Sequence, residues 1–192
     1  MSRAASRAVE LYGGAVTARV PARFRDLSDV APVPDHQEVF FDDALEESLH
    51  VELVERDGES ADALTLARGL FHDWLDACDG ASTSEVTVDA RVDGARAWTR
   101  ASGAMRARRE NGRTRDVDVH GGVIDLADAN ARALIWHCRP YAYDGGRVAP
   151  SGTEAAPSAF AGAASDGRDV APSEVLRECV ESFTIVDASL FG

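Results

Sequence analysis

Three carboxylates follow one another in a short, proline-bearing stretch near the start of the chain. Asp26, Asp35 and Glu38 lie on or beside a connector that contains three prolines. Paired carboxylates can serve as a general acid and a general base, or can hold a divalent metal ion. Acids on a loop, where side chains face partners rather than the core, can equally bind a basic surface. The spacing alone is therefore compatible with three kinds of chemistry.

The residues around these acids favour turn and cap roles over catalysis. Asp35 follows Pro34, as a turn residue often does, and Asp26 precedes Leu27-Ser28, where it can cap a short turn. No histidine, cysteine or regular acidic spacing supports a metal cage, and no nucleophile is paired with a base. On the residues alone, turn chemistry ranks first, a small metal-dependent hydrolase using Asp35 and Glu38 is a weak alternative, and partner binding ranks third.

Other reactive-looking motifs have simpler interpretations. Gly13-Gly14 lacks the Lys and Ser/Thr of a phosphate loop, so a bulge or a close backbone approach is expected there. His137 and Cys138 are neighbours on a predicted strand, and their side chains should point to opposite faces. The arginines of residues 100–115 could form an anion site or a localisation signal. A solvated hairpin, whose arginine stems cover apolar surface, is favoured instead.

Composition narrows the class of partner. The 192 residues suit one domain, and 45% of them are hydrophobic, which is enough for a sizeable core. The formal net charge of −13 repels phosphate backbones and anionic lipid, and it favours a basic protein surface. The three cysteines are widely spaced, without a C-x-x-C pair. We therefore expect reduced thiols buried in the core, no zinc site and no disulfide framework.

The elements that must position the acids are mostly strands. Alternating apolar residues predict strands, and apolar residues at steps of three and four predict a helix capped by Ser60 and a final helix that begins near Pro172. The fold is expected to begin at Leu11, and residues 143–171 are expected to form a flexible loop because they are poor in large apolar residues. The predicted strands are 15–20, 37–41, 48–55, 86–92, 95–109, 117–123 and 131–141, and the first helix is 60–78. This order predicts an α+β fold on an antiparallel sheet.

Short motifs at both ends of the chain share one order and spacing. They are Leu11, Gly13-Gly14-Ala15, Pro21, Asp26, Ser28, Val33-Pro34-Asp35, Gln37-Glu38-Val39-Phe40, Val186-Asp187 and Ser189-Leu190-Phe191. Together they resemble the Ran guanine nucleotide release factor family. The chain departs from the family pattern at Ala31, where the family has Arg, and at His36, where it has Asn. Both departures bear on details of the partner contact.

The resemblance implies a fold and an activity. The fold would be that of PsbP, an antiparallel sheet flanked by helices on both faces, built as a single domain from residues 1–192. The activity would be binding to the GTPase Ran and promotion of GTP release, in support of nuclear protein import. No catalysis and no cofactor are implied, and the protein is expected as a monomer in the nucleus and cytoplasm. A photosystem-associated structural subunit with the same fold is the alternative.

The resemblance also assigns candidate site residues. Family acids at the positions of Asp26, Asp35 and Glu38 are implicated in Ran binding, which makes these three the implied partner contacts. Glu52 and Glu55 are added from the predicted strand 48–55, because they could extend the same acidic face.

Overall fold

The computed structural model describes residues 5–56, 62–78, 80–93, 96–108, 113–143, 146–147 and 174–191. Within these ranges the chain forms twelve strands and two α-helices. The elements in chain order are β1 Ser6–Leu11, β2 Val16–Pro21, β3 Arg25–Asp26, β4 Gln37–Asp42, β5 Glu47–Glu55, α1 Ala63–Ala77, β6 Gly80–Ser82, β7 Thr87–Asp93, β8 Arg96–Arg108, β9 Thr114–Leu126, β10 Ala131–Tyr143, β11 Gly146–Arg147, α2 Glu174–Ser182 and β12 Thr184–Ile185.

The strands form two antiparallel sheets. The small sheet has the order β1-β2-β12 and joins the first strands of the chain to its last. The main sheet has nine strands in the described residues and runs β3-β4-β5-β10-β9-β8-β6, with β7 on β8 and β11 on β10. The predicted α+β architecture on an antiparallel sheet is confirmed.

Each face of the main sheet carries its own core. Along β10, Ala133 and Ile135 belong to the first core, which also contains α2 and the small sheet. The alternate residues Leu134 and Trp136 belong to the second core, which contains α1. Because successive strand residues point to opposite faces, the two helices cover opposite sides of the sheet, as expected.

The helices form where the apolar spacing predicts them, with one change in capping. Helix α1 begins after Asp62, whose carboxylate accepts hydrogen bonds from the backbone N–H groups of Leu64 and Thr65, each at 3.1 Å. The N-cap is therefore Asp62 and not Ser60, which lies outside the described residues. No helix in the described ranges is long and apolar enough to cross a membrane.

Three expectations from the sequence need correction. The fold begins before Leu11, because Ser6–Leu11 forms β1 and buries only Val9 and Leu11 on its inner face. Cys78 is exposed at the end of α1, although the other two cysteines are buried as predicted. Gly146–Arg147, inside the expected flexible loop, pairs with the end of β10. Most of the predicted flexible loop, residues 143–171, lies outside the described residues.

Candidate functional site

The turn between β1 and β2, residues 12–14, requires its glycines for conformation and not for space. Tyr12, Gly13 and Gly14 have φ values of +52°, +65° and +94°. A Cβ on Gly13 would meet no atom within 4 Å, so only the left-handed backbone demands glycine there. We call residues 12–14 the Gly-Gly turn. Phosphate binding is not needed to explain the two glycines, since the tight turn between β1 and β2 accounts for both.

Tyr12 joins this turn to the main sheet. Its backbone N–H donates to Glu38 Oε1 at 2.6 Å. Its hydroxyl donates towards the carbonyl oxygens of Val51 at 2.9 Å and His36 at 3.3 Å. Burial, followed by the nearby charges of Glu38 and Glu52, raises the pKa of the Tyr12 hydroxyl. The phenol is therefore protonated at neutral pH and donates a hydrogen bond. The Glu38 carboxylate binds the backbone N–H of the same residue.

Asp35 projects from a closed turn. The Gln37 N–H donates to the carbonyl oxygen of Pro34 at 2.9 Å, and the Leu53 N–H donates to that of His36 at 3.0 Å. We call residues 34–37 the Asp35 turn. The Asp35 side chain is exposed, and no hydrogen bond or ion pair joins it to another residue of the described part of the chain. A fixed backbone thus presents an unneutralised carboxylate to solvent.

Asp26 caps a turn of its own while lining a cleft. Its Oδ1 accepts a hydrogen bond of 2.8 Å from the Ser28 N–H, as the turn interpretation of the sequence predicts. It is half-buried at the edge of the main sheet, opposite Phe40 in β4. An open cleft of about 580 Å³ separates this edge from β1 and is also lined by Arg7 and Asp29. Asp26 is thus both a structural residue and a cleft residue.

Glu52 and Glu55 both lie on β5 but differ in their surroundings. Glu38 pairs with Val51 across β4 and β5, so these two side chains share a face, and Glu52 lies on the opposite face. Glu52 approaches His36, with 3.4 Å between its Oε1 and the His36 Nε2. Glu55 is exposed at the far end of β5. The structure brings Glu52 to the Asp35 turn, and Glu55 lies two residues beyond Leu53, whose N–H group bonds to the turn at His36.

The C-terminal segment completes this end of the molecule. The N–H groups of Val186 and Asp187 donate to the Ala15 carbonyl oxygen at 2.8 and 3.0 Å. Phe191 packs against the first core, whereas Leu190 is 42% exposed. The last segment is therefore anchored to the core through Phe191 and not through Leu190.

Acids elsewhere in this half of the sheet are neutralised internally. Asp42 and Glu47, on the β4–β5 hairpin, are both buried. Arg23 binds both of them, at 2.7 Å in the case of Asp42, and Arg139 approaches Glu47 at 3.3 Å. This contrast separates Asp35 from the hairpin carboxylates, which have partners already.

The arginine-rich segment is paired with acids as well. Arg106 contacts both carboxylate oxygens of Asp116, at 2.7 and 3.1 Å. Arg100 is 1% exposed, and its Nε lies 2.7 Å from Asp89. The solvated-hairpin expectation is therefore wrong for Arg100, which is part of the sheet interior.

The residues considered for catalysis are separated by the sheet. His137 faces the first-core side and Cys138 the second, as the strand alternation predicts. Burial raises the pKa of the Cys138 thiol, which leaves it protonated. Among the described residues, no three His, Cys, Asp or Glu side chains converge as metal ligands. Tyr12 was not among the site residues predicted from the sequence. Its position directly before Gly13-Gly14 was the one signal that could have identified it.

Comparisons with known proteins agree on one family. The human Ran guanine nucleotide release factor is 28% identical over 97% of both chains. The bovine protein of the same name is 53% identical over 45 residues, which are 23% of this chain and 24% of that protein. The crystal structure of the Saccharomyces cerevisiae Ran-binding protein Mog1p superposes with a TM-score of 0.64 at 23% identity, covering 99% of this chain and 100% of that one.

A solution structure of cyanobacterial PsbP from Synechocystis aligns with a TM-score of 0.47 at 14% identity, over 72% of this chain and 81% of that one. The sequence model of the family described as Ran-interacting Mog1 protein matches residues 9–140, a range that includes the Gly-Gly turn and the Asp35 turn. With more than half of its length matched, the chain belongs to the Ran-interacting Mog1 family.

Proposed function

We propose that this protein binds Ran, promotes release of its guanine nucleotide and thereby supports nuclear protein import. Family membership supports the partner, and the names of the relatives support a release factor that acts by binding. The observation that carries the site is Asp35, an exposed carboxylate without an internal partner on a turn fixed by backbone hydrogen bonds. The protein would act in the nucleus and cytoplasm.

The charge of the surface fits a basic partner. Asp35 and the half-buried Asp26, Glu38 and Glu52 lie on or near one end of the sheet, while the hairpin acids are already neutralised by arginines. With a net charge of −13, the protein would attract a basic surface before contact, which raises the association rate. Glu55, exposed at the end of β5, would add to this long-range field.

Nucleotide release would follow from competition for the same basic groups. A P-loop GTPase holds its nucleotide through a lysine and Mg²⁺. Carboxylates that pair with basic groups near that site would compete with the phosphates and stabilise a nucleotide-poor state. Because coupling is reciprocal, a ligand that prefers the nucleotide-free GTPase must lower the affinity for nucleotide by the same factor.

Replacing Asp35 by alanine should weaken this interaction without harming the fold. We expect at least about a tenfold loss of affinity for nucleotide-free Ran, which corresponds to about 1.4 kcal/mol, and slower release of labelled GTP. The measurements are titration calorimetry with nucleotide-free Ran and a fluorescence release assay at two salt concentrations. A larger loss at low salt would identify charge steering.

Asp73→Ala is the matched control, because Asp73 is an exposed acid on α1 that is not among the acids proposed to contact Ran. This variant removes the same charge and should leave both measurements within about twofold of wild type. Equal losses in the two variants would show that net charge, and not the Asp35 turn, determines binding. An unchanged release rate in Asp35→Ala would rule out Asp35 as the contact.

A further inference from the structure

Tyr12 holds an unusual position between the two sheets. It is a non-glycine residue with φ of +52°, a conformation that costs on the order of 1–2 kcal/mol. The residue before it, Leu11, is fully buried, and the Tyr12 ring packs against the first core. The surrounding contacts must therefore hold Tyr12 in place against its own backbone preference.

Two of these contacts lead directly to the Asp35 turn. The hydroxyl lies 3.3 Å from the His36 carbonyl oxygen and 2.9 Å from that of Val51. The backbone N–H binds Glu38 Oε1 at 2.6 Å, and Glu38 stands three residues after Asp35 at the start of β4. Tyr12 thus links the small sheet to the Asp35 turn at His36 and to β4 directly after it at Glu38.

The bond to Glu38 also defines what that carboxylate does. One of its oxygens satisfies a backbone N–H inside a left-handed turn, where no regular sheet partner is available. A carboxylate engaged in this way is suited to fixing the turn, and an amide oxygen of the same shape could accept the same bond. A charge-based contact with a partner would instead require the negative charge itself.

We propose that Tyr12 and Glu38 form a clamp that positions the Asp35 turn for the partner, and that Glu38 acts through this clamp and not through direct charge pairing. This inference rests on the proposed function for its partner. It changes the role expected for Glu38, from a Ran contact to a positioning residue. It also adds Tyr12, which no sequence motif had singled out, to the residues that determine binding.

The first test separates charge from hydrogen bonding at Glu38. Glu38→Gln keeps an acceptor for the Tyr12 N–H and should bind nucleotide-free Ran within about twofold of wild type. Glu38→Ala removes the acceptor and should bind at least about tenfold more weakly. Equal loss in the two variants would overturn the clamp in favour of a direct charged contact.

The second test is a double-mutant cycle between the clamp and the turn. Tyr12→Phe keeps the ring and removes only the hydroxyl, and it should weaken binding about tenfold at most. In an Asp35→Ala background the same change should have almost no further effect. Additive losses, or no loss with Tyr12→Phe, would overturn the proposal. Tyr141→Phe, a hydroxyl removal elsewhere on the main sheet, is the control.

A third readout needs no partner and separates this inference from the proposed function. In Tyr12→Phe, amide hydrogen exchange should become several-fold faster at Gln37 and Leu53, whose N–H groups bond within and beside the Asp35 turn. Unchanged exchange would overturn the positioning role even if Ran binds. Faster exchange in a protein that does not bind Ran would leave the clamp standing and remove the proposed function.

Discussion

Replacing Gly121 by alanine is expected to destabilise the protein by about 3 kcal/mol, because overpacking a well-filled core costs about 1–3 kcal/mol or more. A Cβ built on Gly121 would lie 1.9 Å from Cζ3 and 2.3 Å from Cε3 of Trp136. The Trp136 indole is fully buried, stacks on Trp74 with 5.5 Å between ring centroids, and meets Phe71 edge-on. The ring cannot yield without disturbing the whole aromatic cluster against α1.

Gly69 supplies the opposite case in the same experiment. It lies on the exposed side of α1, and a Cβ there would meet nothing within 4 Å. Gly69→Ala should raise stability by about 0.5–1 kcal/mol, since alanine is the better helix former. Urea unfolding of both variants measures the difference. If Gly121→Ala unfolds at the wild-type urea concentration, the close approach of β9 to Trp136 is not a constraint on the sequence.

Acid is expected to unfold the protein through His50, which is half-buried, and His120, which is buried. Burial is the main cause that lowers the pKa of His50 to about 4 and that of His120 to about 3, against 6.5 for a free side chain. Both lie below the unfolded value, so the unfolded chain takes up these protons first. The two histidines therefore contribute stability that is lost as the pH falls below about 6.5.

Asp118 opposes this loss in part. Burial raises the pKa of its carboxyl from 3.8 to about 6, so the folded protein binds this proton before the unfolded chain does. Between pH 6 and 4, these three groups leave the unfolded state with about one extra proton, and the free energy of unfolding should fall by about 1.4 kcal/mol per pH unit. Urea titrations at half-unit steps from pH 6.5 to 4.5 measure this slope.

Asp118→Asn tests the assignment without changing the shape of the side chain. The variant removes the opposing carboxyl, so the slope should steepen to about 2.7 kcal/mol per pH unit. At pH 7 the variant should also be more stable than wild type, because the variant carries no buried carboxylate charge at this position. A slope that is flat in wild type, or identical in the variant, would contradict the roles given to these buried groups.

Patterns among neighbouring residues predicted several strands and a turn cap correctly. Alternation along 48–55 and 131–141 predicted β5 and β10, and the proline-rich connector revealed Asp26 as a cap, because each of these signals operates between near neighbours. The two faces of β10 also followed from alternation alone. What the short motifs contributed was the family, and with it the covering of both faces by helices.

The structural features that could not be predicted from the sequence depend on contacts between residues far apart in the chain. The bond between the Tyr12 N–H and Glu38 spans 26 positions, so no local pattern shows that Glu38 is engaged by a backbone group. Strand β1 was missed because only Val9 and Leu11 turn inward, while the small and charged residues beside them resemble a disordered start. Cys78 looked like a core residue by its apolar neighbours, yet it lies past the last turn of α1.

The small sheet has a consequence for how the chain folds during synthesis. Val16 and Thr17 are made long before their partners on β12, Ile185 and Thr184. The first core likewise waits for α2, whose Leu176 and Val180 are fully buried. The part of the first core that α2 contributes therefore forms only after the preceding elements have been made, and we expect the apolar face of β2 to be open to non-native contacts until then.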